Sequence, residues 1–241
     1  MFESLVHYNT IAGPNGERLA TTFGFQGKPH CDFPQIFRPF DSLLNHKSRL
    51  VRNAQLFLGN LLTPAQISEL QIILACHDVP ELIEEDVSRI ADTHGVPPST
   101  APDILDLLLL PEDVPRYRDF EVAQRYLENG LDRLPQNPLS LIARILDTLD
   151  GNYFAFATLS NYAVKVGGSY LDPNLQFLLE KLTEYVNSTR KKYCEKIYSI
   201  QERYEFSLLP TLEQLQSIEK DKLDAISSVI TRAGYSVPKI V

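Results

Sequence analysis

Thr63-Pro64-Ala65-Gln66-Ile67-Ser68-Glu69-Leu70-Gln71-Ile72-Ile73-Leu74-Ala75-Cys76-His77-Asp78 carries the pattern that decides the fold. Thr63 has the side chain of a helix N-cap, and Pro64 suits the first helical position, where no N–H is needed. Ile67, Leu70, Leu74 and His77 then recur at steps of three and four, the spacing of one helix face. His77 therefore points where a core residue would point, near the helix end. Pro80 follows closely and favours a break or a fresh start.

The flanking sequence repeats this period. Upstream, from residue 40, Leu43, His46, Leu50, Ala54 and Phe57 follow the same steps, which puts His46 on an apolar face. Gly59-Asn60 closes that helix. Downstream, a helix is expected over 81–93, ending at His94-Gly95, with Pro97-Pro98 as punctuation. A short Pro-flanked helix follows at 99–114, then an amphipathic one at 120–134 and a turn at Pro135-Gln136-Asn137-Pro138. A long apolar helix at 139–166 carries Asp147 on a face with Ala143, Gly151 and Phe154, and the small Ala143 and Gly151 leave room beside the carboxylate. Gly167-Gly168 ends it. Two more helices are expected at 174–206 and 212–233, with Pro210 between them. The first forty residues are rich in Gly, Pro and aromatics and read as an irregular lead-in, with a short extended piece at 18–25. Strands are scarce and no repeat is visible, so the expected class is all-α. The expected organisation is a lead-in at 1–39, a helical core at 40–168, and C-terminal helices at 169–241 packing on that core.

The 241 residues carry a formal net charge of −8. A chain without a basic face is poorly suited to a nucleic-acid polymer. A small phosphorylated substrate would need only a metal and a few nearby cations. The apolar run 104–110 is interrupted by Asp106 and stopped by Pro111, and no stretch has the length to span a bilayer. Met1-Phe2-Glu3-Ser4-Leu5 lacks the basic and apolar regions of a secretion signal. Cys31, Cys76 and Cys194 have no metal-type spacing, and their odd number points to a reducing, cytoplasmic setting.

His46, His77, Asp78 and Asp147 form a constellation with chemical meaning. Two imidazoles and two carboxylates from separate helices can close around one divalent ion; Mn, Co, Fe, Zn and Mg all accept such donors. Singly, each residue has a plainer reading, as a hydrogen-bonded core histidine or a solvated aspartate. Together they are more telling, because an ionised Asp facing an apolar interior is costly without a partner. Water bound to such an ion becomes a usable nucleophile near neutral pH.

The segment from Leu74 to Asp86, with His77-Asp78, Glu81 and Asp86 in register, resembles the central motif of HD-domain metal-dependent phosphohydrolases. It is most similar to the bacterial 5′-deoxynucleotidase branch. His46 heads a helix upstream as the first family histidine does, and Arg144-Ile145-Leu146-Asp147 resembles the closing basic-x-x-Asp element. The likeness covers about residues 40–166. It implies a helical bundle around one divalent metal ion held by His46, His77, Asp78 and Asp147. Glu81 would orient the attacking water or handle its proton. Asp86 would lie at the substrate edge of the pocket, although it also reads as a solvated charge in an acidic run. The family contacts substrate through an Arg before the first His, for which Arg38 is the nearest candidate. Lys47 stands where the family often has a small polar residue, and could reach a phosphate. Asp150, one turn beyond Asp147, is the rival for the last ligand; the preceding Arg144 favours Asp147. Only His94 lies between the His-Asp pair and the last Asp, so a mononuclear centre is expected. His30-Cys31 has no partner ligands.

The remaining features are less specific. The basic residues at 190–203 and the aromatics Tyr153, Phe154, Phe156 and Tyr162 read as a solvated face and as core. The two C-terminal helices either cap the bundle or bury a homodimer face. The implied function is removal of phosphate from a nucleotide or similar small ester through a metal-activated water. The alternative is a non-catalytic interaction or sensor protein that keeps a degenerate bundle of the same type.

Overall fold

The computed structural model describes residues 43–79, 108–129, 133–167, 171–204 and 207–241. The fold is all-α: six α-helices and no strand among the described residues. They are α1 (Leu43–Leu58), α2 (Pro64–Cys76), α3 (Val114–Asn129), α4 (Pro138–Val166), α5 (Pro173–Ile200) and α6 (Leu208–Arg232), with a 3-10 turn at Gln201–Arg203. None is long and apolar enough to cross a membrane. The chain divides into two compact units, residues 1–144 and 145–241. α4 begins in the first and runs on into the second.

In the first unit, local signals set the helix ends. Thr63 caps α2 through a reciprocal capping box. Its hydroxyl accepts from the Gln66 N–H at 3.3 Å, and its own N–H donates to Gln66 Oε1 at 2.8 Å. That satisfies two N–H groups that a bare helix end would leave to water. α2 is buried on all sides over its last turn and a half, from Ile72 to Cys76. It packs against both α1 and α3. Gln71 Nε2 donates to the Val51 carbonyl of α1 at 3.0 Å. Ala75, Cys76 and Val79 form one core with Leu109 and Tyr117, edged by Val51 and Val114. On the outer side, Arg116 of α3 pairs with Glu69 of α2 and with Asp113. Asp119 accepts from the Gln136 and Asn137 backbone N–H groups and from Ser140, so it anchors the start of α4.

The second unit is organised by long apolar stripes. Leu175, Leu178, Leu179, Leu182, Val186, Tyr193 and Ile197 line the buried side of α5, which packs on α6. Asp172 is a junction: it caps α5 through the Asn174 N–H, accepts from the Tyr162 hydroxyl, and donates its own N–H to the Tyr235 hydroxyl. Glu219 is buried on α6, where it accepts from Asn152 Nδ2 at 2.9 Å and pairs with Arg190 at 2.9 Å. Gly234 ends α6 with φ +101, a conformation that side-chain-bearing residues rarely adopt.

Four boundaries differ from the periodicity-based expectation. α3 begins at Val114 rather than residue 120 and ends at Asn129. α5 stops at Ile200, short of residue 206, where the chain tightens into the 3-10 turn. α6 begins at Leu208, so Pro210 lies inside its first turn instead of between helices. The reason is general: the first four N–H groups of a helix have no intrahelical acceptor, so a proline there removes nothing. The extended piece at 18–25 and the helix at 81–93 fall outside the described residues, as do residues 99–107. Over the rest of the helix expected at 99–114, the chain is not helical at 109–113, where it turns at Pro111 before α3 begins.

Candidate metal centre

His46 lies one turn into α1, on the buried side with Leu50 and Ala54. His77 is the C-cap of α2, and its backbone N–H still donates to the Ile73 carbonyl. Asp78 and Val79 continue as a turn; Val79 is fully buried in the core described above. This turn brings the His77 and Asp78 side chains together. Asp78 Oδ1 lies 3.0 Å from His77 Nε2, and its Oδ2 lies 3.3 Å from His46 Nε2. The two imidazole rings are 5.5 Å apart, tilted by 53°.

Hydrogen-bond chemistry assigns the protons. His77 Nδ1 sits 3.0 Å from the Leu74 carbonyl. A carbonyl only accepts, so Nδ1 carries the hydrogen. In the neutral ring Nε2 then bears a lone pair, and that lone pair faces a carboxylate oxygen. Two electron-rich atoms at 3.0 Å repel unless a proton or a metal cation lies with them. A histidine whose Nδ1–H is held by a backbone carbonyl and whose Nε2 faces other donors has the usual arrangement of a metal ligand.

Asp147 is the fourth member. It follows Arg144 by three residues on α4 and is 6 % exposed. One ligand atom from each of His46, His77, Asp78 and Asp147 falls within 4.8 Å of all the others. Asp150 is equally buried, yet it does not belong to this group. The four buried side chains can hold one metal ion, and their two nitrogens and two oxygens suit a divalent cation of borderline or hard character.

The surroundings add charge and shape. Lys47 is 1 % exposed. Burial lowers its ammonium from the ordinary 10.5 to about 8, while the negative charge of Asp78 opposes the shift. Burial and then the charge of Asp113 push the Cys76 thiol well above its ordinary range, so it stays protonated and unreactive. Its Sγ donates to the Ile73 carbonyl at 3.4 Å. Phe120 of α3 meets the His77 ring edge-on at 4.9 Å between centroids. Arg144 pairs with Glu128 of α3.

Sequence reading left several of these features unseen. Phe120 entered only as a helix start; nothing local marks it as the neighbour of a histidine forty-three positions away. Lys47 was placed beside the site, but the depth of its burial is a tertiary property. Arg38, Glu81 and Asp86 lie outside the described residues, as do His30, Cys31 and His94. Compared with protein-family models, curated proteins and solved structures, the chain matches none.

Proposed function

We propose that the protein is a metal-dependent phosphohydrolase acting on a nucleotide or a similar small phosphate ester. One observation carries the reading: two buried imidazoles and a carboxylate converge, and the His77 tautomer is fixed so that its lone pair faces the carboxylate. The resemblance of the Leu74–Asp86 segment to HD-domain phosphohydrolases supplies the reaction class. Mn, Co, Fe, Zn and Mg are all compatible with the donor set.

A divalent ion held by His46, His77, Asp78 and Asp147 would supply Lewis acidity, polarising a phosphoryl oxygen and acidifying water near neutral pH. The chain's own groups have separate tasks. The Leu74 carbonyl and the Phe120 ring orient His77. Lys47, still mostly cationic at neutral pH with a pKa of about 8, offsets part of the negative charge that a phosphate brings. Glu81 takes the proton from the attacking water. Attack occurs in line at phosphorus, the ester P–O bond breaks, and the alcohol leaves with a proton, giving inorganic phosphate.

The test combines metal analysis of the purified protein with phosphate release from nucleoside mono-, di- and triphosphates. Asp78→Ala should abolish metal-dependent release while the helical circular-dichroism signal persists. Turnover that survives this substitution means the ligands are misassigned. Bound metal with no turnover on any phosphate ester favours a sensor or interaction role for the same bundle.

A further inference from the structure

α3 offers no side chain to the metal group, yet it touches both of the later elements that do. Phe120 meets the His77 ring at 4.9 Å. Eight residues on, about 12 Å along the helix axis, Glu128 accepts from Arg144 Nε at 2.9 Å. Arg144 Nη2 donates to the same carboxylate oxygen. The Arg144 side chain is 5 % exposed and that of Glu128 16 %. Arg144 stands three residues before Asp147, so the two project from neighbouring points on one side of α4.

A planar guanidinium donating twice to a single carboxylate has little rotational freedom. Anchored to α3, it restrains both the rotation of α4 about its axis and its sliding along that axis. A carboxylate one turn further is sensitive to both motions, because ligand distances are tolerated only within about 0.2 Å. A pair kept only for stability would not need to sit beside a ligand. A well-packed apolar pair often serves stability as well as a buried ion pair does, or better.

We propose that Glu128 and Arg144 are positioning residues for the metal centre, setting the rotation and height of α4 so that the Asp147 carboxylate meets His46, His77 and Asp78. This rests on the metal reading above. The geometry adds a division of labour: α1, α2 and α4 carry the ligands, and α3 spaces them, with Phe120 at one end and Glu128 at the other.

Cobalt(II) is the probe, because its visible bands report coordination geometry as well as occupancy. The full-length protein is titrated with cobalt against a competing chelator. Arg144→Lys and Glu128→Gln should each weaken cobalt affinity by about tenfold to a hundredfold and alter the bands. The double variant should be no weaker than the worse single one, since only one pair is lost. Arg190→Lys, which loosens the buried pair with Glu219 in the second unit, should leave affinity and bands unchanged. Arg144→Lys keeps the charge and decides the matter if Glu128→Gln does not fold. Unaltered affinity and bands in folded Arg144→Lys overturn the proposal, as does an equal loss in Arg190→Lys. If the unsubstituted protein binds no cobalt, the metal reading itself fails and takes the pair's role with it. Tight binding by the parent protein with undiminished binding by the variants removes the pair's role alone.

Discussion

His77 Nδ1 and the Leu74 carbonyl, 3.0 Å apart within the last turn of α2, decide the chemistry of the centre. Helix geometry brings residue i back toward the carbonyl of residue i−3, so this contact needs no partner from elsewhere in the chain. It commits the other ring nitrogen to face Asp78. The helix end thus supplies both the candidate ligand and the group that orients it.

Metal should stabilise the folded chain. Binding to the native state alone adds about 2.7 kcal/mol when free metal is a hundred times its dissociation constant. Thermal unfolding in excess manganese or cobalt should therefore occur several degrees above that in chelator. In His46→Asn the two melts should nearly coincide. Equal melts for the parent protein would show that the group does not take up the ion.

Phe120 is almost wholly buried, and its ring rests on His77. Truncation to Ala removes that ring and leaves a cavity, at a cost of about 3–5 kcal/mol. Phe120→Leu should cost less in urea unfolding, because much of the volume is kept. Both should loosen His77, so metal affinity should fall further than in a core truncation of equal cost in the second unit, such as Leu179→Ala.

Glu219 gives a pH signature. Burial raises its pKa above the ordinary 4.5, and the hydrogen bonds from Asn152 and Arg190 only partly oppose the shift. The folded state therefore binds this proton more tightly than the unfolded chain does. Its stabilising contribution is complete below about pH 4.5 and is lost as pH rises through the folded-state pKa. Glu219→Gln should flatten that decline. Urea unfolding of both proteins from pH 4 upward should show the gap shifting in favour of the variant as pH increases. A constant gap would mean that the carboxyl group has the same proton affinity folded and unfolded.

Two glycines should respond in opposite directions. A methyl group at Gly151, inside α4, meets no atom within 4 Å. Alanine there should stabilise by about 0.5–1 kcal/mol through helix propensity. Gly234 has φ +101, and a methyl group there lies 3.2 Å from Leu171. Alanine at that position should destabilise by about 1 kcal/mol or more. Denaturant midpoints of the two variants read the contrast directly.

Sequence alone determined the helical class, the start of α2 at Thr63-Pro64, the end of α1 at Gly59, and the inward faces of His46 and His77. These follow from capping, proline and glycine chemistry and a 3.6-residue period, all of which act within a few residues. The start of α6 was misplaced because a proline in the first turn of a helix looks the same in sequence as one in a loop. The preceding Arg144 already favours Asp147 over Asp150 in the sequence, but only tertiary structure shows that its carboxylate falls in the same group as the histidines, since two buried carboxylates three residues apart on a helix differ in what stands opposite them. Tertiary structure likewise decided the depth at which Lys47 lies, the ring packed on His77, and the Glu128–Arg144 pair. Each of these depends on which helices meet and at what rotation, a matter of long-range packing on which local sequence is silent.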